Sequence, residues 1–472
     1  MTSLPLLLAL SMEATANAPA PPVEQYQLDN GLTVLLSEDH SLPVVAVEVL
    51  YLVGSGHERA GRTGFAHLFE HLMFQGSEHF DHEYFAPYEP IGGRVNGTTS
   101  RDRTNFFEVV PSNYLATPLW MESDRMQWLL PALTQEKLDN QREVVKNERR
   151  QRYENAPYGM AHVYLGEMLY PPGHPYRHTP IGSHEDLSAA TLDDVKAFFE
   201  QYYVPANAGL AVVGDFQSSE VKGLLQTYFG AIPGGARAPR PVAEAPAAGG
   251  VHWQKTDDVP LPRIYLAWHT PSLFAPGDAE LDLWSSVLTD GKNSRLYFPL
   301  VYDSKVAKDV AAMQISQHLS SYYVIQATAA PGQSVEALYA SVAAALSKAL
   351  EAPPTAGELE RSVSAYKKGF YSRIESTQSR ASTLASYFLH TGKGDYLAQD
   401  LARYVDATPQ GVHAAARQYL DLKRAVRLDI LPGKKEGPGT PAPSAAAGAP
   451  VTTKPGAAKP AAPSAPKAGG QQ

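Results

Sequence analysis

His67, Glu70 and His71, within Gly64-Phe65-Ala66-His67-Leu68-Phe69-Glu70-His71-Leu72-Met73-Phe74, are the residues whose types and spacing bear most directly on chemistry. On a helix, residues four apart share a face, so two imidazoles can point at one centre. That arrangement suits a zinc ion. Glu70 follows His67 by three positions and lies at the edge of the same face, where its carboxylate can reach a water at the metal. Phe65, Leu68, Phe69, Leu72 and Met73 cover the remaining faces. The helix is therefore expected to be buried nearly all round, and its imidazoles and carboxylate then need partners or a metal. The plain alternative is a core helix with two hydrogen-bonded histidines. Structural zinc takes four ligands and catalytic zinc three, with one position open, so the catalytic reading asks for one further carboxylate or histidine on a rigid element. Residues 137–150 read as a long charged helix with a thin apolar stripe, which by itself describes a solvated surface helix.

His67-x-x-Glu70-His71 inverts the order of the His-Glu-x-x-His zinc motif. It resembles the signature of the insulinase, pitrilysin and processing-peptidase family, peptidase family M16, in its short-chain bacterial form. The resemblance extends through Gly92-Gly93-Arg94-Val95-Asn96-Gly97-Thr98-Thr99-Ser100, Glu143-Val144-Val145-Lys146-Asn147-Glu148, and His174-Pro175-Tyr176 followed by Ile181-Gly182. The family places a glutamate ligand a little under eighty residues after the second histidine, and Glu148 stands 77 residues after His71. The resemblance thus implies one Zn2+ per chain held by His67, His71 and Glu148, with Glu70 as general base in peptide hydrolysis. Glu143, five residues before Glu148, is expected to orient the array from behind, and the resemblance implies that Asn96 lies beside an edge strand that takes substrate as an added strand. The plain alternative for Asn96 is a strand-end turn residue. A glutamate that assists in several relatives, seven residues before the ligand, is Gln141 here, and no role is carried onto it.

The elements that must hold these residues follow from pattern. Two apolar runs around Asp29-Asn30-Gly31 predict a hairpin over 26–36, and Val44 to Val53 predicts a buried strand before the zinc helix. Arg94 to Ser100 and Asn105 to Val110 read as strands joined by the polar turn Arg101-Asp102-Arg103. Helical patterns cover 113–130, 135–154 and 191–203, the last leading into a strand over 209–213. Residues 233–250 hold almost no large side chain and mark a linker.

The second half repeats the first. Thr191, Val195, Ala197, Gln201 and Tyr202 recur, 217 residues on, as Thr408, Val412, Ala414, Gln418 and Tyr419. Near the zinc helix an offset of 215 pairs Leu68, Leu72 and Gly76 with Leu283, Val287 and Gly291, but sets Asp282, Ser285 and Ser286 where His67, Glu70 and His71 stand. An offset of 221 sets Gly369 against Glu148. The duplicate keeps the core pattern and lacks the ligands. The expected fold class is α+β, with two homologous domains, each a mostly antiparallel sheet with helices packed on one side, together forming half of a clamshell. The expected divisions are a leader at 1–18, a zinc-bearing domain at 22–232, the linker at 233–250, a metal-free repeat at 251–432 and a tail at 433–472.

Composition narrows the classes. A chain of 472 residues with 44% apolar content has room for two or more domains with sizeable cores, and a formal charge of −9 argues against nucleic acid as partner. The absence of cysteine excludes disulfides and thiol catalysis. Leu4 to Leu10 with Ala16-Asn17-Ala18 reads as an export signal for a periplasmic or secreted protein. No Lys or Arg precedes Arg59, so the usual basic start is missing and a disordered leader is the alternative. No segment reads as a membrane span. The Ala/Pro/Lys-rich tail carries five lysines against Glu436 and is expected to be disordered, a spacer or a weak contact to an anionic surface.

One departure from the family pattern concerns partners. Active relatives grip the substrate backbone with an arginine and, seven residues on, a tyrosine in a metal-free domain. Counting from Ser294-Arg295-Leu296, these positions are Val301 and Lys308. The expectation is a zinc-bearing subunit that pairs with a related subunit carrying the arginine and tyrosine, with a homodimer as the other arrangement. The competing functions are a catalytically silent peptide-binding or assembly subunit and a zinc hydrolase for a non-peptide amide.

Overall fold

The computed structural model describes residues 22–243 and 249–434. The proposed leader, most of the proposed tail and the middle of the linker lie outside the described residues. The first half contains β1 (Glu24–Gln27), β2 (Thr33–Glu38), β3 (Val44–Tyr51), α1 (Phe65–Leu72), β4 (Arg94–Thr99) and β5 (Thr104–Pro111). It continues with α2 (Ala116–Ala132), α3 (Gln135–Arg149), α4 (Ala161–Leu169), α5 (His184–Ser188), α6 (Leu192–Tyr202), β6 (Ala208–Gly214) and α7 (Ser218–Phe229). The second half contains β7 (His252–Asp257), β8 (Arg263–Thr270), α8 (Asp278–Thr289), β9 (Ala307–Ile315), β10 (Ser321–Ala329) and α9 (Val335–Ala349). It closes with α10 (Ala356–Glu375), α11 (Thr377–Thr391), α12 (Leu397–Val405), α13 (Pro409–Tyr419) and β11 (Val426–Pro432).

The strand orders are β1-β2-β6-β3-β5-β4 and β7-β11-β8-β10-β9. Each sheet is antiparallel except for one parallel pair, β2 with β6 and β11 with β7. The repeat shows in equivalent details. Thr191 and Thr408 both cap helices, accepting from Asp194 N and Gly411 N, and both helices lead into an inner strand of their sheet, β6 or β11. A cap of this kind stabilises a helix start by about 1 kcal/mol.

The inner strands β2, β3, β6, β8 and β10 are buried almost throughout because both faces of each sheet are covered there, whereas the outer strands β1, β4 and β7 are polar and partly exposed. On β3, Val45, Val47, Val49 and Tyr51 join the core formed with the first half's own helices. Ala46, Leu50 and Leu52 face the other way, onto Ala381, Leu384, Ala385 and Phe388 of α11 from the second half. Gly209 on β6 makes this approach possible, since a Cβ there would lie 2.6 Å from the Phe388 ring. The exchange is reciprocal. On β8, Ile264, Leu266 and Trp268 meet the second half's helices, whereas Tyr265 and Ala267 meet Ala161, Leu165 and Leu169 of α4 from the first half. Helices therefore pack on one side of each sheet from its own half, and the opposite side receives a helix from the other half. The period-two alternation of each strand serves both cores.

Candidate metal centre

α1 starts at Gly64, and the free N–H groups of its first turn are met by Glu58, which accepts from Gly64 N at 2.9 Å and Ala66 N at 2.8 Å. A carboxylate at a helix N-terminus is favourable for both its hydrogen bonds and the helix dipole. His178 Nε2 lies 2.8 Å from the same carboxylate. The Ile181-Gly182 pair has a packing reason. A Cβ at Gly182 would stand 2.3 Å from Thr63 O, directly before the helix.

α1 and α3 cross so that His67, His71 and Glu148 converge. His71 Nε2 lies 3.2 Å and His67 Nε2 3.7 Å from Glu148 Oε2, and one ligand atom from each residue lies within 4.8 Å of the others. With zinc–ligand bonds of about 2.0–2.1 Å, a tetrahedron has edges of roughly 3.3–3.4 Å; the two histidine-to-Glu148 distances lie near that value, and the two-imidazole, one-carboxylate donor set suits zinc with a position left open. Burial, followed by the neighbouring His71, pushes the His67 imidazole down to about 4. It is thus neutral at pH 7, the form that ligates a metal. Burial works to raise the Glu148 carboxyl, yet the hydrogen bond from His71 and the charges of His67 and Arg152 hold it below its ordinary value. Arg152, on the π-helical turn Arg150–Glu154, lies with Nη1 2.6 Å from Glu148 Oε1, the oxygen facing away from the histidines' closest contact. Among the described residues this is the one group of three or more such donors close enough to share a metal ion.

Glu70 lies beside the cluster without joining it. Thr99 Oγ1 donates to Glu70 Oε2 at 2.6 Å. Burial raises the Glu70 carboxyl above its ordinary value, opposed by the Thr99 hydrogen bond and by His71. Thr99 is on β4, the last strand of its sheet, whose outer edge pairs with no strand among the described residues. Ser100 N donates to Arg103 O just past the strand, so by the alternation of an antiparallel ladder Thr98 and Asn96 bond inward. Val95, Gly97 and Thr99 then direct their backbone N–H and C=O outward. Asn96 is exposed at this edge, and its Oδ1 accepts from Gly97 N at 2.9 Å.

Other expected residues lie elsewhere. Glu143 does not approach the cluster; it is exposed and paired with Lys146 at 2.7 Å, so the expectation that it orients the ligands is corrected. Gln141 is buried, on the face of α3 that carries Glu148. Arg295 is held by Glu358 at 2.9 and 2.8 Å and by the carbonyls of Ala349, Ala352 and Pro353. Val301 packs against the second core, and Lys308 is an exposed residue of β9. Asp282, Ser285 and Ser286 line a cavity of about 420 Å³ between α8 and β9, where Tyr404 donates to Asp282 Oδ2 at 3.1 Å. Reasoning from sequence missed Glu58, Thr99 and Arg152. Of these, Thr99 had a signal, since a two-residue period puts it on the same face of β4 as Gly97.

Comparison with known proteins identifies the family. Residues 33–169 match the family described as Insulinase (Peptidase family M16), and residues 189–366 match Peptidase M16 inactive domain. The chain is 31% identical over 424 residues to the zinc protease PqqE of Helicobacter pylori, covering 89% of this chain and 91% of that protein. The crystal structure of a protease from Helicobacter pylori superposes with a TM-score of 0.81 at 28% identity, covering 87% of this chain and 99% of that one. The mitochondrial-processing peptidase subunit beta of Blastocladiella emersonii is 24% identical over 306 residues, 64% of each chain. With an inverted zinc motif, a convergent glutamate and near-complete coverage of a zinc protease, the chain belongs to peptidase family M16.

Proposed function

We propose that the protein is a zinc-dependent endopeptidase acting on peptides or unfolded segments. The observation that carries this is the convergence of His67, His71 and Glu148 next to a carboxylate and beside the open edge of β4. A zinc ion held there supplies a Lewis acid that acidifies water and polarises a carbonyl. The residues of the chain do the rest. A peptide laid along β4 pairs with the outward N–H and C=O groups of Val95, Gly97 and Thr99, which positions many sequences without selecting one. Asn96 releases the Gly97 N–H as the peptide arrives, freeing its own amide to bind the peptide. Thr99 fixes one oxygen of Glu70, leaving Oε1 to hold a water, take its proton as attack begins and hand that proton to the departing amine.

In this reading residues 22–232 bear the metal, residues 251–432 form a metal-free partner domain, and 233–250 join them. Val301 and Lys308 occupy the positions of the family's substrate-gripping arginine and tyrosine, which favours a second, related subunit that supplies them. The leader sends the chain to the periplasm or beyond. Among the described residues no helix is long and apolar enough to cross a membrane. The test is hydrolysis of a quenched peptide library by the zinc-loaded chain, alone and mixed with a related subunit that has the arginine and tyrosine. Cleavage by the mixture far above that of the chain alone supports the two-subunit enzyme. Equal cleavage removes the need for a partner, and silence in both points to a binding subunit.

A further inference from the structure

His174-Pro175-Tyr176 takes no part in the metal cluster, and neither does the turn Arg101-Asp102-Arg103. The fold brings both to a third segment, residues 316–320, which joins β9 to β10 in the second half. Tyr176 is completely buried; its hydroxyl donates to Asp102 Oδ1 and accepts from Leu319 N at 3.0 Å. Asp102 Oδ2 accepts from His318 N at 3.2 Å. His174 sets the tyrosine's backbone by accepting from Tyr176 N at 3.0 Å, and stacks on Tyr170 with ring centroids 4.5 Å apart. Tyr170 in turn donates to Ser320 O at 3.0 Å. The turn is also tied to the segment before α1, through Ser55 N to Ser100 O at 3.0 Å and Gly56 N to Arg101 O at 2.8 Å. The tips of two equivalent hairpins, one from each half, thus meet through the Asp102 carboxylate and the Tyr176 phenol, with Arg101 of the same turn reaching the Gln317 amide beside them.

The turn at 100–103 is the end of β4. Thr99, which holds Glu70, is the residue immediately before it. We propose that Asp102 and Tyr176 are positioning residues that clamp the β4–β5 turn to the second half, so that the metal-free domain sets where the peptide-docking edge lies relative to His67, Glu70 and His71. This rests on the peptidase reading of β4. An open edge strand with one loose end would still exist but would place its backbone groups less accurately, so a peptide pairs with it less tightly. Asp102 is suited to the task because each of its two oxygens serves a different half.

The test uses the full zinc-loaded chain and its Asp102→Ala, Asp102→Asn, Tyr176→Phe and Asp102→Ala/Tyr176→Phe variants. Amide hydrogen exchange over residues 94–111 reads the clamp independently of catalysis, and KM and kcat on an extended peptide read its consequence. In Asp102→Ala and Tyr176→Phe, exchange in β4 and β5 accelerates while α1 stays protected and one zinc stays bound. KM rises roughly tenfold, the scale of one lost hydrogen bond to a charged group, with a smaller change in kcat. Asp102→Asn lies between, since it still accepts from His318 N–H, and the double variant, which loses the ties to both His318 N and Leu319 N, is worse than either single one. Exchange and KM like those of the parent in both single variants would overturn the inference. If Asp102→Ala fails to fold, Tyr176→Phe decides, because it deletes one hydroxyl and keeps the ring. If the parent chain cleaves no peptide either alone or mixed with the related subunit, the peptidase reading fails and the exchange measurement alone decides the clamp.

Discussion

Replacing Thr99 with valine removes one hydroxyl and keeps the shape of the side chain. The hydroxyl donates at 2.6 Å to Glu70 Oε2, half-buried between β4 and α1. Hydrogen bonds to an ionised acceptor contribute about 1.5–3 kcal/mol, so if the contact serves to aim the base, its loss lowers kcat by roughly 10- to 100-fold. The same bond holds the Glu70 carboxyl down against burial, which pushes it up. Without it the carboxyl keeps its proton to higher pH. Because Glu70 must be ionised to accept a proton, the acidic limb of the rate profile moves to higher pH in Thr99→Val. Thr99→Ser restores the donor and brings both quantities back toward the parent. The assay is a pH–rate profile of the three proteins on one quenched peptide, with zinc content measured in parallel. A Thr99→Val protein with kcat within about twofold of the parent and an unmoved acidic limb would refute the reasoning.

Three further outcomes are expected. Arg152→Ala frees Glu148 Oε1 and weakens zinc affinity by about tenfold, the lower end for a partner of a ligand because the arginine is largely exposed, as measured by competition with a chelator. Leu384→Ala opens a cavity in the core between α11 and the first sheet and destabilises the chain by about 2–5 kcal/mol; since that core belongs to both halves, the denaturant transition shifts as one step. Burial, then the neighbouring His318, Arg240 and Arg103, hold the His390 imidazole down to about 3, against about 6.5 when unfolded. The unfolded chain therefore binds the extra proton as pH falls below about 6.5, and the stability tied to a neutral His390 is present above that value and lost progressively toward pH 3. His390→Phe should show a shallower loss than the parent in urea midpoints measured at pH 7, 5 and 4.

The metal site was legible in unequal parts. His67, Glu70 and His71 lie within five residues, so helical spacing alone brought them together. Glu148 is 77 residues away, and only the family resemblance tied it to them. The Glu143 expectation failed on phase. At about 100° per residue, five positions before Glu148 is about 140° around α3, whereas seven positions, at Gln141, is nearly the same face. This agrees with the exposed Glu143 and buried Gln141. The repeat was legible through Thr191 and Thr408, whose capping roles are local. The exchange of α4 and α11 was not, because an apolar face announces burial without naming the surface that covers it. Alternating residues such as Leu50 and Val49 look alike in sequence, yet they face different halves of the molecule.

The central claim is that His67, His71 and Glu148 hold zinc while Glu70 moves the proton. The most direct measurement is zinc content and peptide cleavage of Glu70→Gln beside the parent. The account predicts one zinc per chain in both and a fall in cleavage of roughly 100- to 10,000-fold in the variant. Cleavage at the parent's rate by zinc-loaded Glu70→Gln, or a parent chain that takes up no zinc, would contradict it.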